Sequence, residues 1–211
     1  MPLSKYNVGD LVVEPSNLNL KVLMVLESPH INEYIHGHPA AGESALELTQ
    51  LLKSQGYVHD FDTQLPVGCN IKALHYQPLG ILNCSHLPMN PAFYPCDLDD
   101  EAQAQVNNIV GIKQHLAQDI KNAEQYAPTL LAQTDIFKDF ARRLNQVLTQ
   151  APNVIIVPCG HTAKGFIDTF TTTYPKPLNI LYGLPHPTEP EWDEKIATID
   201  LNDHIKPEIL P

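Results

Sequence analysis

Two hundred and eleven residues, 43% hydrophobic and 18% charged, make a globular chain rather than a disordered one. A chain of this length buries roughly 70% of its unfolded surface, enough to stand without disulfide staples. Thirteen Lys and Arg against 24 Asp and Glu leave a net charge of −11. That argues against a broad polyanion-binding surface, because phosphate contacts are made mostly by Lys and Arg; a small, locally basic or backbone-lined site stays compatible with it.

The sequence implies a single domain over 1–211, with 1–19 and 200–211 as peripheral tails. Its nineteen prolines predict many stiff connections. The start, Met1-Pro-Leu-Ser-Lys-Tyr6, has no long apolar stretch, and the longest apolar run, Val22 to Leu26, is far short of the ~20 residues that span a bilayer. No membrane contact and a cytoplasmic location are therefore expected. Cys69, Cys84, Cys96 and Cys159 include no CxxC pair and read as reduced thiols.

Lys21-Val-Leu-Met-Val-Leu26 reads as a strand buried on both faces, ended by Glu27-Ser-Pro-His30. A loop rich in His and Gly is expected to Ala41. Residues 43–54 carry Ala45, Leu48, Leu51 and Leu52 at helical spacing, with Gly56 as the stop. Leu79-Gly-Ile-Leu82 is a second strand, ending at Asn83-Cys-Ser-His86 ahead of a proline-rich loop. Helices are predicted from Asp99 to about 124 and over roughly 134–149. Asn153-Val-Ile-Ile-Val157 is the third strand; it passes Pro158-Cys-Gly-His161 into a helix through Phe170. Leu178-Asn-Ile-Leu-Tyr182 is the fourth, before Gly183-Leu-Pro-His-Pro187, and a short helix is expected near Trp192.

Strands alternating with helices predict an α/β fold, a three-layer sandwich around a four-stranded, mostly parallel sheet. Ligands in such sheets bind beyond the carboxyl ends of the strands. All four ends carry polar chemistry here, which makes a shared site an expectation of the residues alone.

The motifs in order resemble the uracil-DNA glycosylase superfamily over about residues 20–195. The first motif of that family, a strand followed by G-E-A-P-G or G-Q-D-P-Y-H, is similar to Leu26-Glu-Ser-Pro-His30, with the Gly-rich stretch at Gly37-His-Pro-Ala-Ala-Gly42. Asn83 matches the strand-end Asn that reads the base. Val154 to Ala163 matches the third strand and its turn, and His186-Pro-Thr188 matches the final H-P-S. The resemblance implies hydrolysis of an N-glycosidic bond of a nucleobase, in DNA or a nucleoside-like ligand, with no cofactor and no metal. Glu27 would steady the sugar cation or hold water, and His186 would donate to the base oxygen where charge grows. Asn83 would donate to and accept from the base edge, with Ser28, Pro29, His30, Gly160 and Thr188 lining the ligand.

The departures are specific. Ser28, not Asp, precedes Pro29. Ala40 follows Pro39 where the family places a stacking Phe, so Tyr34 or Phe93 would have to substitute. No four cysteines suit an iron–sulfur cluster. The last loop, Thr188-Glu-Pro-Glu-Trp192, puts two carboxylates where DNA phosphates would lie. These features imply weak duplex binding, with single-stranded DNA or a small nucleotide as the better partner. They also keep open a second reading, a catalytically inactive binding module recognising a nucleotide or a protein.

Each residue has a plainer role beside the sharp one. Glu27 could cap the next loop, Asn83 could tie down the proline-rich loop, and His186 could be structural. His36-Gly-His38 reads as a polar loop, because neither HExxH nor a ligand-spaced Cys/His set is present. Cys159 after a buried strand reads as packing rather than as a nucleophile.

Overall fold

The computed structural model describes residues 3–12, 19–94, 98–122, 128–186 and 192–196. Four strands form one sheet: β1 (Val22–Leu26), β2 (Leu79–Asn83), β3 (Ile155–Pro158) and β4 (Asn179–Ile180), in the order β2-β1-β3-β4. All three pairings are parallel, with Val22 opposite both Leu79 and Ile155 and Leu26 opposite Asn83. β1 and β2 are buried along their whole length, as runs without polar alternation require.

β4 is shorter than the expected 178–182, and the cause lies in its neighbour. Ile156 O accepts from Leu181 N at 2.9 Å. Pro158, the next residue of β3 on that side, has no N–H with which to continue the ladder.

Helices cover both faces. On one face Val22, Met24 and Ile81 pack against α2 (Glu43–Ser54), α3 (Val67–Leu74) and α8 (Trp192–Ile196). On the other, Leu23, Val25 and Ile156 pack against α4 (Asp100–Asn122), α5 (Pro128–Gln133), α6 (Asp135–Gln150) and α7 (Gly160–Thr173). Phe137, Phe140 and Phe166 centre that second layer, with Phe140 edge-on to Phe166 at 5.2 Å. Among the described residues no helix is long and apolar enough to cross a membrane.

Other segments differ from expectation, among them α5, which falls between the two helices expected to about 124 and from about 134. The loop expected from His30 to Ala41 contains α1 (Ile31–His36), started by a capping box in which His30 accepts from the chain and Glu33 answers it. α3 was not expected; at eight residues it is too short for a clear periodic signal. The first nineteen residues, expected as a peripheral tail, are packed where described. Leu3, Tyr6 and Val8 are buried, and Leu11 makes an antiparallel bridge to Ile81 that covers the β2 edge. The other expected tail, 200–211, lies outside the described residues.

Candidate functional site

β1 delivers the chain into Glu27-Ser28-Pro29-His30, and that turn forms one wall of a cavity of about 380 Å³ at the carboxyl edge of the sheet. Pro29 ends the strand, and His30 starts α1 as its N-cap, its Nδ1 accepting from Asn32 N at 3.4 Å. The Ser28 hydroxyl accepts from Met89 N at 3.1 Å and so ties the turn to the proline-rich loop. Within that loop Asn90 caps a short 3-10 helix (Pro91–Phe93), which brings the Phe93 ring edge-on to His30 at 4.6 Å and into the cavity lining. Tyr34, the other ring expected to substitute for the missing Phe, instead stacks near Tyr6 at 5.5 Å.

Glu27 lines this cavity with both carboxylate oxygens engaged. Lys113 Nζ, from the middle of α4, is 2.6 Å from Oε1. Thr162 Oγ1, from the first turn of α7, donates to Oε2 at 2.8 Å. Neither partner was expected from the sequence, because 86 and 135 residues separate them from Glu27.

A second carboxylate, Glu33, also lines the cavity and was not singled out by sequence reasoning. Ala40 N donates to its Oε1 at 2.7 Å and His30 N to its Oε2 at 3.3 Å. Burial pushes its pKa up to about 7, against the lowering effect of those backbone donors and a weaker one from Asn83. The spacing His30-Ile-Asn-Glu33 is that of a capping box, a signal that could have found it.

Asn83 closes β2 and sits beside Leu26, which lines the cavity. Its backbone is held firmly: its N–H donates to Asp10 Oδ1 at 3.3 Å, and its carbonyl accepts from buried Arg143 at 3.0 Å. Arg143 also holds both oxygens of Asp10, at 2.8 and 2.9 Å. The side chain contrasts with this. It is 1% exposed, and neither its Oδ1 nor its Nδ2 has a hydrogen-bond partner at ordinary distance, although the amide stands close enough to the Glu33 carboxyl to lower its pKa slightly. An orphaned buried amide is costly, by about 1–3 kcal/mol, and native structures rarely keep one without a reason.

His186 reaches the same cavity from the segment after β4. Trp192 Nε1 donates to its carbonyl at 2.7 Å. Gly160 lies directly beneath it: a Cβ there would stand 3.0 Å from His186 Cβ and 3.2 Å from its backbone N, and the Gly160 φ is +83°. Gly160 thus positions His186 rather than lining this cavity. With His161, Lys164 and Tyr182 it borders a second cavity, of about 420 Å³.

Of the residues expected at the site, Glu27, Ser28, Pro29, His30 and His186 line one cavity, and Asn83 adjoins its wall. Thr188 lies outside the described residues, as do Glu189 and Glu191. Cys159 is fully buried, donates to Val157 O at 3.4 Å and is pushed far up in pKa by burial, so it is a packing thiol. In the cavity the carboxylates of Glu27 and Glu33 are met by donors of the chain itself, which leaves neither as a ready metal ligand. Comparison of the sequence with protein-family models and with curated proteins returns no match.

Proposed function

We propose that this chain is a divergent uracil-DNA glycosylase-like protein whose first cavity hydrolyses the N-glycosidic bond of a nucleobase, in DNA or in a nucleoside-like ligand. The reading rests on one juxtaposition. Glu27, at the end of the central strand, and His186, after the outer strand, line one cavity, and the Asn83 amide stands near Glu33, a further residue of its wall. The parallel order β2-β1-β3-β4, with motif residues at each strand end, supports the same reading.

Each group has a role that its chemistry suits. As the bond between sugar carbon and base nitrogen breaks, the electron pair leaves with the base and positive charge grows on the sugar. His186 donates to the base oxygen that gains negative charge. The Asn83 amide offers a donor and an acceptor to the base edge, and neither atom is taken up by an ordinary hydrogen bond within the chain. Phe93 provides the flat apolar face that Ala40 does not. The Glu27 carboxylate stabilises the sugar cation, water then adds to the sugar carbon, and the proton it loses neutralises the departed base anion.

One observation favours a second reading, a binding module that has lost catalysis: both Glu27 oxygens already hold donors, Lys113 and Thr162. Release of free base from uracil-containing single- and double-stranded oligonucleotides separates the two, with binding of uracil and uridine measured by calorimetry on the same sample. Excision that disappears in Asn83→Ala and His186→Ala supports the enzyme. Ligand binding without release supports the module. Neither binding nor release sinks both.

A further inference from the structure

We propose that His36, His38 and Cys69 form a binding site for a zinc-class transition metal ion, which clamps the loop after α1 to the first turn of α3. The three side chains offer one ligand atom each, and these atoms all lie within 4.8 Å of one another. Among the described residues they are the one such group of three. The proposal is independent of the glycosylase reading.

The geometry of the pair at its centre is that of a ligand set. His38 Nδ1 is 3.0 Å from Pro39 O. A carbonyl only accepts, so Nδ1 carries the proton and Nε2 presents its lone pair. Metal-binding histidines are commonly oriented by such a backbone carbonyl. Cys69 Sγ lies 3.7 Å from that Nε2. Zn–S and Zn–N bonds of usual length, at a tetrahedral angle, set sulfur and nitrogen about 3.6 Å apart. His36 is exposed at the last position of α1, and its ring centroid is 6.0 Å from that of His38.

The backbone is built to keep His38 and Cys69 opposed. A Cβ on Gly68 would stand 2.1 Å from Pro39 O and 2.7 Å from Ala40 O, so only glycine lets α3 approach the loop this closely. Gly68 N donates to Ala40 O at 2.9 Å and fixes the approach. Burial is the larger influence on both ligands, raising the pKa of the Cys69 thiol and lowering that of His38; Lys72, one turn after Cys69, opposes the first shift and adds to the second.

Binding balances simply. The Cys69 thiol gives up its proton to solvent, the thiolate and two neutral imidazoles take three positions on the ion, and a water takes the fourth. Sequence spacing hid the set, because Cys69 is 31 residues from His38.

The test is titration of the reduced, chelator-stripped full chain with Co²⁺, a spectroscopic stand-in for Zn²⁺. The expected result is one equivalent bound, with a thiolate-to-cobalt charge-transfer band in the near ultraviolet and visible bands of tetrahedral intensity. Cys69→Ser should abolish the charge-transfer band, and His38→Ala and His36→Ala should each weaken binding at least tenfold. Cys96→Ser, outside the described residues, should change nothing. A readout on the unmodified chain covers variants that fold poorly: Zn²⁺ should slow alkylation of Cys69, mapped by mass spectrometry, at least tenfold. No charge-transfer band, a band that survives in Cys69→Ser, or alkylation of Cys69 indifferent to Zn²⁺ would overturn the proposal.

Discussion

Lys113 Nζ stands 2.6 Å from Glu27 Oε1, and this contact joins the longest helix to the end of the central strand. Glu27 is 14% exposed and Lys113 42%, so the pair is half screened by solvent. A double-mutant cycle with Glu27→Gln and Lys113→Met, followed by urea unfolding, should give a coupling of about 1 kcal/mol. A coupling indistinguishable from zero would mean that Glu27 is held by Thr162 alone.

Glu33 gives the chain a pH dependence opposite to that of a paired carboxylate. Its folded pKa of about 7 lies above the ordinary 4.5, so in the window between them the folded state keeps a proton that the unfolded chain releases. The stabilisation from that proton is full below about 4.5 and is lost as pH rises through about 7. The gap corresponds to about 3 kcal/mol at most. Glu33→Gln, which mimics the protonated form, should remove this loss. Unfolding free energies measured from pH 5 to 8.5 should fall in the unmodified chain relative to the variant by ~1–3 kcal/mol. Parallel curves would show that Glu33 does not titrate in this window.

The buried Asn83 amide has no hydrogen-bond partner at ordinary distance and interacts only weakly with Glu33. Replacing both orphaned atoms with apolar ones removes their desolvation cost, so Asn83→Leu should leave stability unchanged or raise it by about 1 kcal/mol. The same variant should lose binding of uracil or uridine. A clear loss of stability on denaturation would mean that the amide already has a partner in the folded chain.

Gly160→Ala should do the reverse, harming the fold before the chemistry. The φ of +83° is strained for any side chain, and the new Cβ would press on His186 at 3.0–3.2 Å. The expected cost is about 1–3 kcal/mol, read as a lower melting temperature. Weaker ligand binding should accompany it, because His186 must shift. An unchanged melting temperature would show that the turn relaxes freely.

The sheet was legible in the sequence because strands buried on both faces leave unbroken apolar runs, as Val22–Leu26 and Ile155–Pro158 do. Glu27 and His186 were legible for a topological reason: parallel strands all end at one edge, so polar residues after them meet there. What was not legible depends on long-range contact. The engagement of Glu27 by Lys113 and Thr162 is set by how α4 and α7 cross the sheet, which local periodicity does not encode. α1 and the role of Glu33 were obscured by the His- and Gly-rich composition, although the capping-box spacing was present. The shortening of β4 follows from Pro158 on the neighbouring strand, visible only once the register is known.

Duplex DNA should bind weakly and release little uracil at physiological salt. Flipping a base costs a few kcal/mol, which must be offset by phosphate contacts and stacking. The chain carries −11 overall, and Ala40 in the cavity wall offers no ring on which a base could stack. Phe93 can supply stacking, so the phosphate contacts are the missing part. Excision, where it occurs, should therefore favour single strands or free nucleosides, and fluorescence anisotropy should show a shallow salt dependence, since each neutralised phosphate adds about 0.9 to the logarithmic slope on duplex DNA. Glu189→Gln with Glu191→Gln should raise duplex affinity if the loop after His186 faces phosphate. Tight duplex binding by the unmodified chain, with a steep salt slope, would mean that a basic surface elsewhere engages DNA and that the ligand does not enter along this edge of the sheet.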